Sequence, residues 1–345
     1  MITVTFREAS DTCVRALERA GVRPDHAQVQ AHLLLEAELR GRASHGMQRL
    51  PRIVARIRNG VAEPNSKGKG VWRGEALLDV DGEHGLGPVV AFEALAQIST
   101  RAKRTGVAVA AIRNCNHLGM LALYAERIAQ QGQILIALTT SEALVHPWGG
   151  RAAMLGTNPV AIAVPAKPQP FVLDMATSLV SMGQIHDFAN RDAPLEPGWA
   201  LDAEGNPTTD AAAARDGAIA PFGGAKGYAL GLAFEVLVAS LTASALGRDV
   251  SGTLDAKKFC NKGDVFIVLE PTGNGVGSSV SAYLDAIRAC PPADPTRSVM
   301  VPGDRAHVTR ERSLSNGLSI PSDVWQAIVD LANEIPQAVF HQDLK

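Results

Sequence analysis

From Ala76 to Ser141 short apolar runs alternate with helix-length segments, and this alternation constrains the fold more than any other feature. Ala76-Leu77-Leu78-Asp79-Val80 reads as a strand ending at Asp81-Gly82, and Gly87–Lys103 reads as a helix. Val107–Ile112 is a second strand, Leu118–Gln130 a helix, and Ile134–Leu138 a strand ending in Thr139-Thr140-Ser141. Strands that alternate with helices predict an α/β fold of βα units, with sheet and helices layered together. In open sheets of this kind ligands collect at the carboxyl ends of strands, and the loops there carry the chemistry. Asn114-Cys115-Asn116-His117-Leu118-Gly119-Met120 is such a corner, passing from a strand through Gly119 into a helix. His117 is its one side chain with an ordinary pKa near neutrality. Taken alone, the heptapeptide reads first as a histidine packed on a helix start.

The flanks have a different texture. Residues Phe6 to Gly60 read as helices, with breaks at Gly21 and Gly41 and a last run from Leu50 to Ile57. Arg42-Ala43-Ser44-His45-Gly46-Met47-Gln48-Arg49 joins the second and third helices. Ser44 can cap the next helix and His45 can be a surface residue. The concentration of donors makes a ligand role the rival, with Arg49 suited to bidentate carboxylate binding. Pro64–Gly74, rich in Gly, Lys and Ser, reads as a linker. The centre is strand-rich, with strands at Val160–Val164 and Phe171–Leu173, the latter delivering Asp174-Met175-Ala176-Thr177-Ser178. Gly198–Asp202 and Gly205–Thr209 read as loops.

Phe222-Gly223-Gly224-Ala225-Lys226-Gly227-Tyr228 then opens an apolar helix, Ala229–Ala245. Glycines ahead of a helix with a lysine in its first turn suit an anion, or equally a flexible loop with a solvated lysine. Walker spacing is absent. Asp264–Leu269 is a further strand. Gly273-Asn274-Gly275-Val276-Gly277 lacks the context of a Rossmann fingerprint and reads as a flexible turn. Pro321–Ile335 closes the chain as a helix.

Composition narrows the function classes. The chain has 345 residues, 46% hydrophobic and 20% charged, enough for a sizeable core and roughly two or three structural domains. A net charge of −2 offers no electrostatic case for nucleic acid or an anionic membrane. Leu230–Leu241 carries Glu235 and falls short of a membrane span. Met1-Ile2-Thr3-Val4-Thr5 runs directly into a helix pattern, so no signal peptide is expected. Cys13, Cys115, Cys260 and Cys290 are scattered, which predicts no metal site and a reducing cytoplasm. Cys115 beside His117 is a candidate nucleophile or, more commonly, a buried small hydrophobe.

Signatures of zinc peptidases, α/β-hydrolases and glycosidases are missing. What remains is a pair of loop histidines, an arginine, a glycine-lysine anion site and Asp174 at a strand end. This inventory suits a small anionic substrate with proton transfer near neutral pH, and names no cofactor.

Six segments in register carry a resemblance. They are Ser44-His45-Gly46-x-x-Arg49, Asn116-His117-x-Gly119, Gly156-Thr157-Asn158-Pro159, Asp174-Met175-Ala176-Thr177-Ser178, Pro207-Thr208-Thr209-Asp210 and Gly223-Gly224-x-Lys226-Gly227-Tyr228. Together they resemble the malate/L-lactate dehydrogenase family of the non-Rossmann type, from about Phe6 to Ile335. That family includes L-sulfolactate and ureidoglycolate dehydrogenases, diketogulonate reductase, and reductases of piperideine- and pyrroline-2-carboxylate. The resemblance implies an L-sulfolactate dehydrogenase-like α/β fold with a non-Rossmann NAD(P)-binding domain. Residues 74–290 would form the cofactor-binding and central domain, and 1–73 and 291–345 a joint helical domain. It also implies a cytoplasmic homodimer that uses NAD or NADP.

By the same resemblance Ser141, Asp174, Met175, Ala176, Lys226, Gly227, and Asp304 and Arg305 within Pro302-Gly303-Asp304-Arg305 would line the cofactor. Ser44, His45, Arg49, His117 and Thr157 would surround the substrate. Arg49 and Thr157 would grip its carboxylate, His117 would handle the hydroxyl proton, and His45, bonded through Ser44, would orient the oxygen or share the proton. The expected reaction interconverts a 2-hydroxy acid and its 2-oxo acid; imine reduction and ureidoglycolate oxidation are the alternatives.

The chain also departs from the family pattern. Ile53 replaces a common tyrosine, Gly183-Gln184 replaces Gly-Lys, and Leu118 stands where phenylalanine is common. Asn261-Lys262-Gly263-Asp264 favours the sulfolactate/malate branch, whereas Pro302–Arg305 favours the imine reductases. Arg191 is a candidate for a cofactor 2′-phosphate, against a solvated role. Arg42, Arg52 and Arg151 are unranked candidates for a second substrate anion.

Overall fold

The computed structural model describes residues 1–273 and 276–334; Asn274-Gly275 of the glycine turn and Ile335 of the last helix lie outside them. In chain order the elements begin with β1 (Ile2–Val4), α1 (Phe6–Arg19), α2 (Pro24–Leu39) and α3 (Leu50–Arg58). Then come β2 (Lys69–Arg73), β3 (Leu77–Asp81), α4 (Gly87–Thr105), β4 (Val107–Arg113), α5 (Ala122–Gln130) and β5 (Ile134–Thr139). The centre holds β6 (Val160–Val164), β7 (Phe171–Met175), α6 (Met182–Asn190), β8 (Ala200–Leu201), β9 (Pro207–Thr208) and β10 (Ala218–Ile219). The chain continues with α7 (Ala225–Thr242), β11 (Asp264–Leu269), α8 (Val276–Arg288), α9 (Asp304–Asn316), β12 (Leu318–Ile320) and α10 (Ser322–Asn333).

The central sheet has the order β2-β3-β4-β11-β5-β6-β7. Only β3 and β4 pair in parallel, through the α4 crossover; every other neighbouring pair is antiparallel. This is an α/β fold built on a mixed sheet, and it lacks the parallel doubly wound sheet of a Rossmann domain. Strand alternation assigns the two faces. Phe266 and Val268 of β11 join Ala110, Ile112 and Leu135 under α4 and α5, whereas Val265 packs with Val238 of α7 on the opposite side. Alanines at 108, 110 and 111 leave β4 thin enough for helices to approach closely.

A second core forms where the two ends of the chain meet. β1 pairs antiparallel with β12, Ile2 opposite Ile320, and Cys13, Leu17, Leu34 and Leu50 pack with Trp325 and Ile328. Ion pairs then fasten these helices to the rest. Arg310 of α9 forks onto Glu36 of α2 at 2.7–3.2 Å, Glu36 also takes Arg40 at 3.2 Å, and Arg40 reaches Glu126 of α5 at 2.6 Å.

Several local expectations are corrected. The segment read as a linker at Pro64–Gly74 contains β2, which extends the sheet edge beside β3 in register Val71–Asp79. Its glycines and lysine suit an exposed edge strand, and Gly68 turns at φ 73° where a side chain would strike Asp81. The helix expected from Leu118 starts at Ala122, because Gly119 adopts φ 75°. Asp174 and Met175 lie within β7 instead of beyond its end. The presumed loops at 198–209 supply β8 and β9 of a small sheet with β10. The apolar helix opens at Ala225 and is 18 residues long with mean hydropathy 1.3, so by length and composition it could cross a membrane. In the fold it lies on β4, β5 and β11 with Glu235 buried inward.

Candidate active site

Three segments distant in sequence converge at the end of β4. Asn114 follows the strand at φ 52° and donates to both carboxylate oxygens of Asp81 at 3.2 Å. Asn116 then acts as a clamp. Its amide donates to the carbonyls of His84 (2.6 Å) and Gly85 (3.0 Å), and its oxygen accepts from Arg56 Nε at 2.9 Å. The loop carrying His117 is therefore tied at once to the β3–α4 turn and to α3. Gly87 is glycine for the same reason, since a Cβ there would lie 2.2 Å from the His117 carbonyl oxygen.

His117 is held by its neighbour. The Gly119 backbone N–H donates to His117 Nδ1 at 2.9 Å. With Nδ1 accepting, we assign the neutral ring its proton on Nε2. Burial pushes the His117 pKa well below its ordinary value, and the cations Arg49 and Lys262 push it the same way. The ring is thus a neutral imidazole near pH 7.

The Ser44–Arg49 loop comes from the other side. Gly46 turns over the carboxylate of Glu38, which accepts from the Met47 N–H at 3.0 Å and would sit 2.1 Å from a Cβ at residue 46. Ser44 Oγ lies 3.0 Å from His45 Nδ1, and Arg49 Nε donates to the Ser44 carbonyl at 2.6 Å. The His45 and His117 rings stand 5.6 Å apart, centre to centre. Burial, with Arg49 and Arg42 nearby, lowers the His45 pKa to about 3. Burial and Arg52 also lower that of Arg49, to about 10, which leaves it cationic at neutral pH.

These parts border a cleft lined by Arg49, Arg52, Arg56, Asn116, His117 and Thr253 on its polar side and by Leu33, Leu34, Ile53 and Leu86 on its apolar side. His45 does not line it and meets it through the ring of His117.

The residues assigned to the cofactor lie outside the lining of that cleft. Ser141 Oγ accepts from the Thr157 N–H at 2.9 Å and lies 3.2 Å from the Thr157 hydroxyl. The Thr157 carbonyl accepts from Thr177 N and Oγ1, and the Thr177 carbonyl accepts from Phe222 N ahead of α7. Thr157 therefore stands with Ser141, and it does not line the cleft that holds Arg49. Asp174 accepts from the Ala122 N–H at 2.8 Å, and burial raises its carboxyl pKa to about 6. Lys226 is exposed in the first turn of α7, whose N-terminus has no side-chain cap. Gly227 allows the helix to start against the Phe222 carbonyl, 1.7 Å from where a Cβ would lie. At α9, Gly303 touches Val172 of β7; Asp304 is engaged by Arg288 and the Val301 N–H, while Arg305 stays exposed without an ion pair among the described residues.

Cys115 is fully buried beside Gly87, and burial raises its thiol pKa well above normal, which removes the thiolate a nucleophile needs. Arg191 pairs with Asp187 on its own helix at 2.6 Å, and Arg151 is engaged by Gly205 and Asn206. Sequence reasoning passed over Arg56, Asn116 as a clamp, Glu38 and Glu235. Buried Glu235 accepts from Gly156 N (3.2 Å), Asn158 Nδ2 (2.6 Å) and Gly247 N (2.5 Å), so it sets the Thr157 turn. A lone acid in an apolar helix was its signal, because such a group is buried only with partners.

A buried histidine thus stands beside arginines at the end of a strand in a mixed α/β sheet. The profile of the malate/L-lactate dehydrogenase family matches residues 4–329, and the chain belongs to that family of oxidoreductases. A crystal structure of a dehydrogenase from Sinorhizobium meliloti is 50% identical, with a TM-score of 0.93 over 96% of this chain and 98% of that one. The malate/(S)-sulfolactate dehydrogenase of Methanothermus fervidus is 31% identical over 96% of this chain and 98% of its own. A Delta(1)-pyrroline-2-carboxylate reductase of Ancylobacter novellus is 32% identical over 94% and 96%.

Proposed function

We propose that this protein is a nicotinamide-dependent oxidoreductase that interconverts a small 2-hydroxy acid and its 2-oxo acid. The observation that carries this reading is the shared cleft of Arg49 and His117, a free guanidinium end beside a neutral proton donor. Arg49 spends Nε on Ser44, which leaves its terminal nitrogens for a substrate carboxylate. His117, with Nδ1 engaged, presents Nε2–H as a hydrogen bond to the substrate oxygen and stabilises the negative charge on it during hydride transfer, while the proton gained in reduction or lost in oxidation is exchanged with water. His45, tied to Ser44 and adjacent to His117, shares the hydrogen-bonding role. The bound cofactor would supply or accept the hydride at C2.

The residues present fit such a cofactor. Lys226 in the first turn of α7 and Arg305 in the first turn of α9 stand at helix N-termini without side-chain caps, and both are unpaired among the described residues and so free to meet phosphate groups. Ser141, Asp174, Met175, Ala176 and Gly227 would complete the site. We also propose a homodimer through α7, whose outward face carries Leu230, Leu232, Val236 and Leu237, each 38–50% exposed.

Loss of NADH or NADPH absorbance on addition of 2-oxo acids tests the reading. Turnover of several 2-oxo acids supports it, and no turnover with either cofactor overturns it. The apolar wall of Leu33, Leu34, Ile53 and Leu86 supports the second reading, reduction of a cyclic imine acid. Turnover of such imines alone would select it.

A further inference from the structure

α3 presents an arginine at its N-terminal boundary and at the two following turns. Arg49, Arg52 and Arg56 all line the cleft that holds His117, and no acidic side chain among the described residues lines it with them. Spacings of three and four residues place them on one helix face, with neighbouring Cβ atoms about 5–6 Å apart.

Their hydrogen bonding separates their roles. Arg56 is consumed by the fold: Nε donates to Asn116, Nη1 to the carbonyls of Asp255 (2.8 Å) and Lys258 (3.0 Å), and Nη2 to that of Val61 (3.3 Å). Arg49 keeps only its terminal nitrogens free. Arg52 is exposed and makes no hydrogen bond or ion pair among the described residues. The cleft thus concentrates positive charge that a single substrate carboxylate, placed on Arg49, leaves uncompensated. The competing cations do not serve it. Arg151 is engaged elsewhere, by Gly205 and Asn206, and Arg42 does not line the cleft.

We propose that Arg52 is the specificity-determining residue of this site, receiving a second anionic group carried on C3 or beyond of a 2-oxo or 2-hydroxy acid. The inference rests on the dehydrogenase reading above and adds the substrate's charge to it. It also acts against the alternative substrate. A cyclic imine acid carries one carboxylate and gains positive charge at nitrogen when protonated, so Arg52 would stand unpaired against a like charge. The apolar residues Leu33, Leu34 and Ile53 of the same cleft would cover the carbon chain between the two anions.

The test compares oxaloacetate with 2-oxobutyrate, which keeps the chain length and removes the second charge, using full-length enzyme with its preferred nicotinamide cofactor. Wild type favours oxaloacetate in kcat/KM. Arg52→Gln lowers the oxaloacetate:2-oxobutyrate ratio about 10- to 100-fold, the range of one charged hydrogen bond, mainly through KM, and Arg52→Lys recovers part of it. If wild type reduces both acids and Arg52→Gln leaves their ratio unaltered, the assignment of Arg52 is overturned while the dehydrogenase reading stands. If wild type reduces neither acid but reduces cyclic imine acids, both fall together.

Discussion

The Gly119 backbone N–H donates to Nδ1 of His117 at 2.9 Å, and this one bond fixes which ring nitrogen holds the proton. Gly119 can do so because it adopts φ 75° and because Leu33 occupies the space of any side chain, 2.0 Å from a Cβ. ¹⁵N NMR of the free protein near pH 7 should therefore show His117 with a bare Nδ1 and a protonated Nε2. His117→Ala should lose about 10²–10⁴ in kcat while cofactor still binds, and His117→Gln should retain more activity than Ala because its amide still donates. Near-native kcat in His117→Ala would remove this residue from the chemistry.

His45 gives a prediction for stability against pH. Its pKa falls from an ordinary 6.5 to about 3 on folding, so between those values the unfolded chain binds the extra proton. Stability from this group is then complete above pH 6.5 and lost as pH falls toward 3, with a slope approaching ~1.4 kcal/mol per pH unit. Asp174, raised from 3.8 to about 6, works in the opposite sense and lowers stability as pH rises between those values. Urea titrations from pH 4 to 8 should show a shallower acid-side loss in His45→Gln than in wild type. An identical slope in both would refute the assignment.

Glu36 sits between Arg40 and Arg310 with its side chain only 4% exposed. Glu36→Ala should leave two guanidiniums facing each other and cost about 3–5 kcal/mol, read as a lowered urea midpoint. A loss below about 1 kcal/mol would mean that water replaces the carboxylate.

Cys115 provides a negative control on mechanism. Its thiol is buried and un-ionised, so Cys115→Ala should keep kcat within a few-fold of wild type. Abolished turnover in a folded variant would revive a cysteine nucleophile.

The outward face of α7 is tested by Val236→Glu, at a position 50% exposed. Light scattering should show the variant as a monomer under conditions in which wild type is a dimer. A wild-type monomer at tens of micromolar protein would dismiss the proposed interface.

Much of the architecture was legible from pattern. The alternation from Ala76 to Ser141 located β3, α4, β4, α5 and β5, and the amphipathic run around Leu17 with the apolar run around Leu34 located the N-terminal helices. β2 was missed because an exposed edge strand with Gly70 and Lys69 has no apolar alternation to display. The antiparallel insertion of β11 between β4 and β5 was not legible either, since the residues that pair, Asp264 with Ile112 and Thr139, lie far apart in the chain.

The sequence by itself determined the family and the positions of His45, Arg49 and His117. These are local properties, carried by residue type and short spacing. Tertiary structure alone decided which ring nitrogen of His117 is free, that Arg56 is spent on carbonyls, and that Arg52 shares the histidine's cleft. It decided these because hydrogen-bond partners and burial arise when α2, α3 and the end of β4 pack together, and no single segment contains that arrangement.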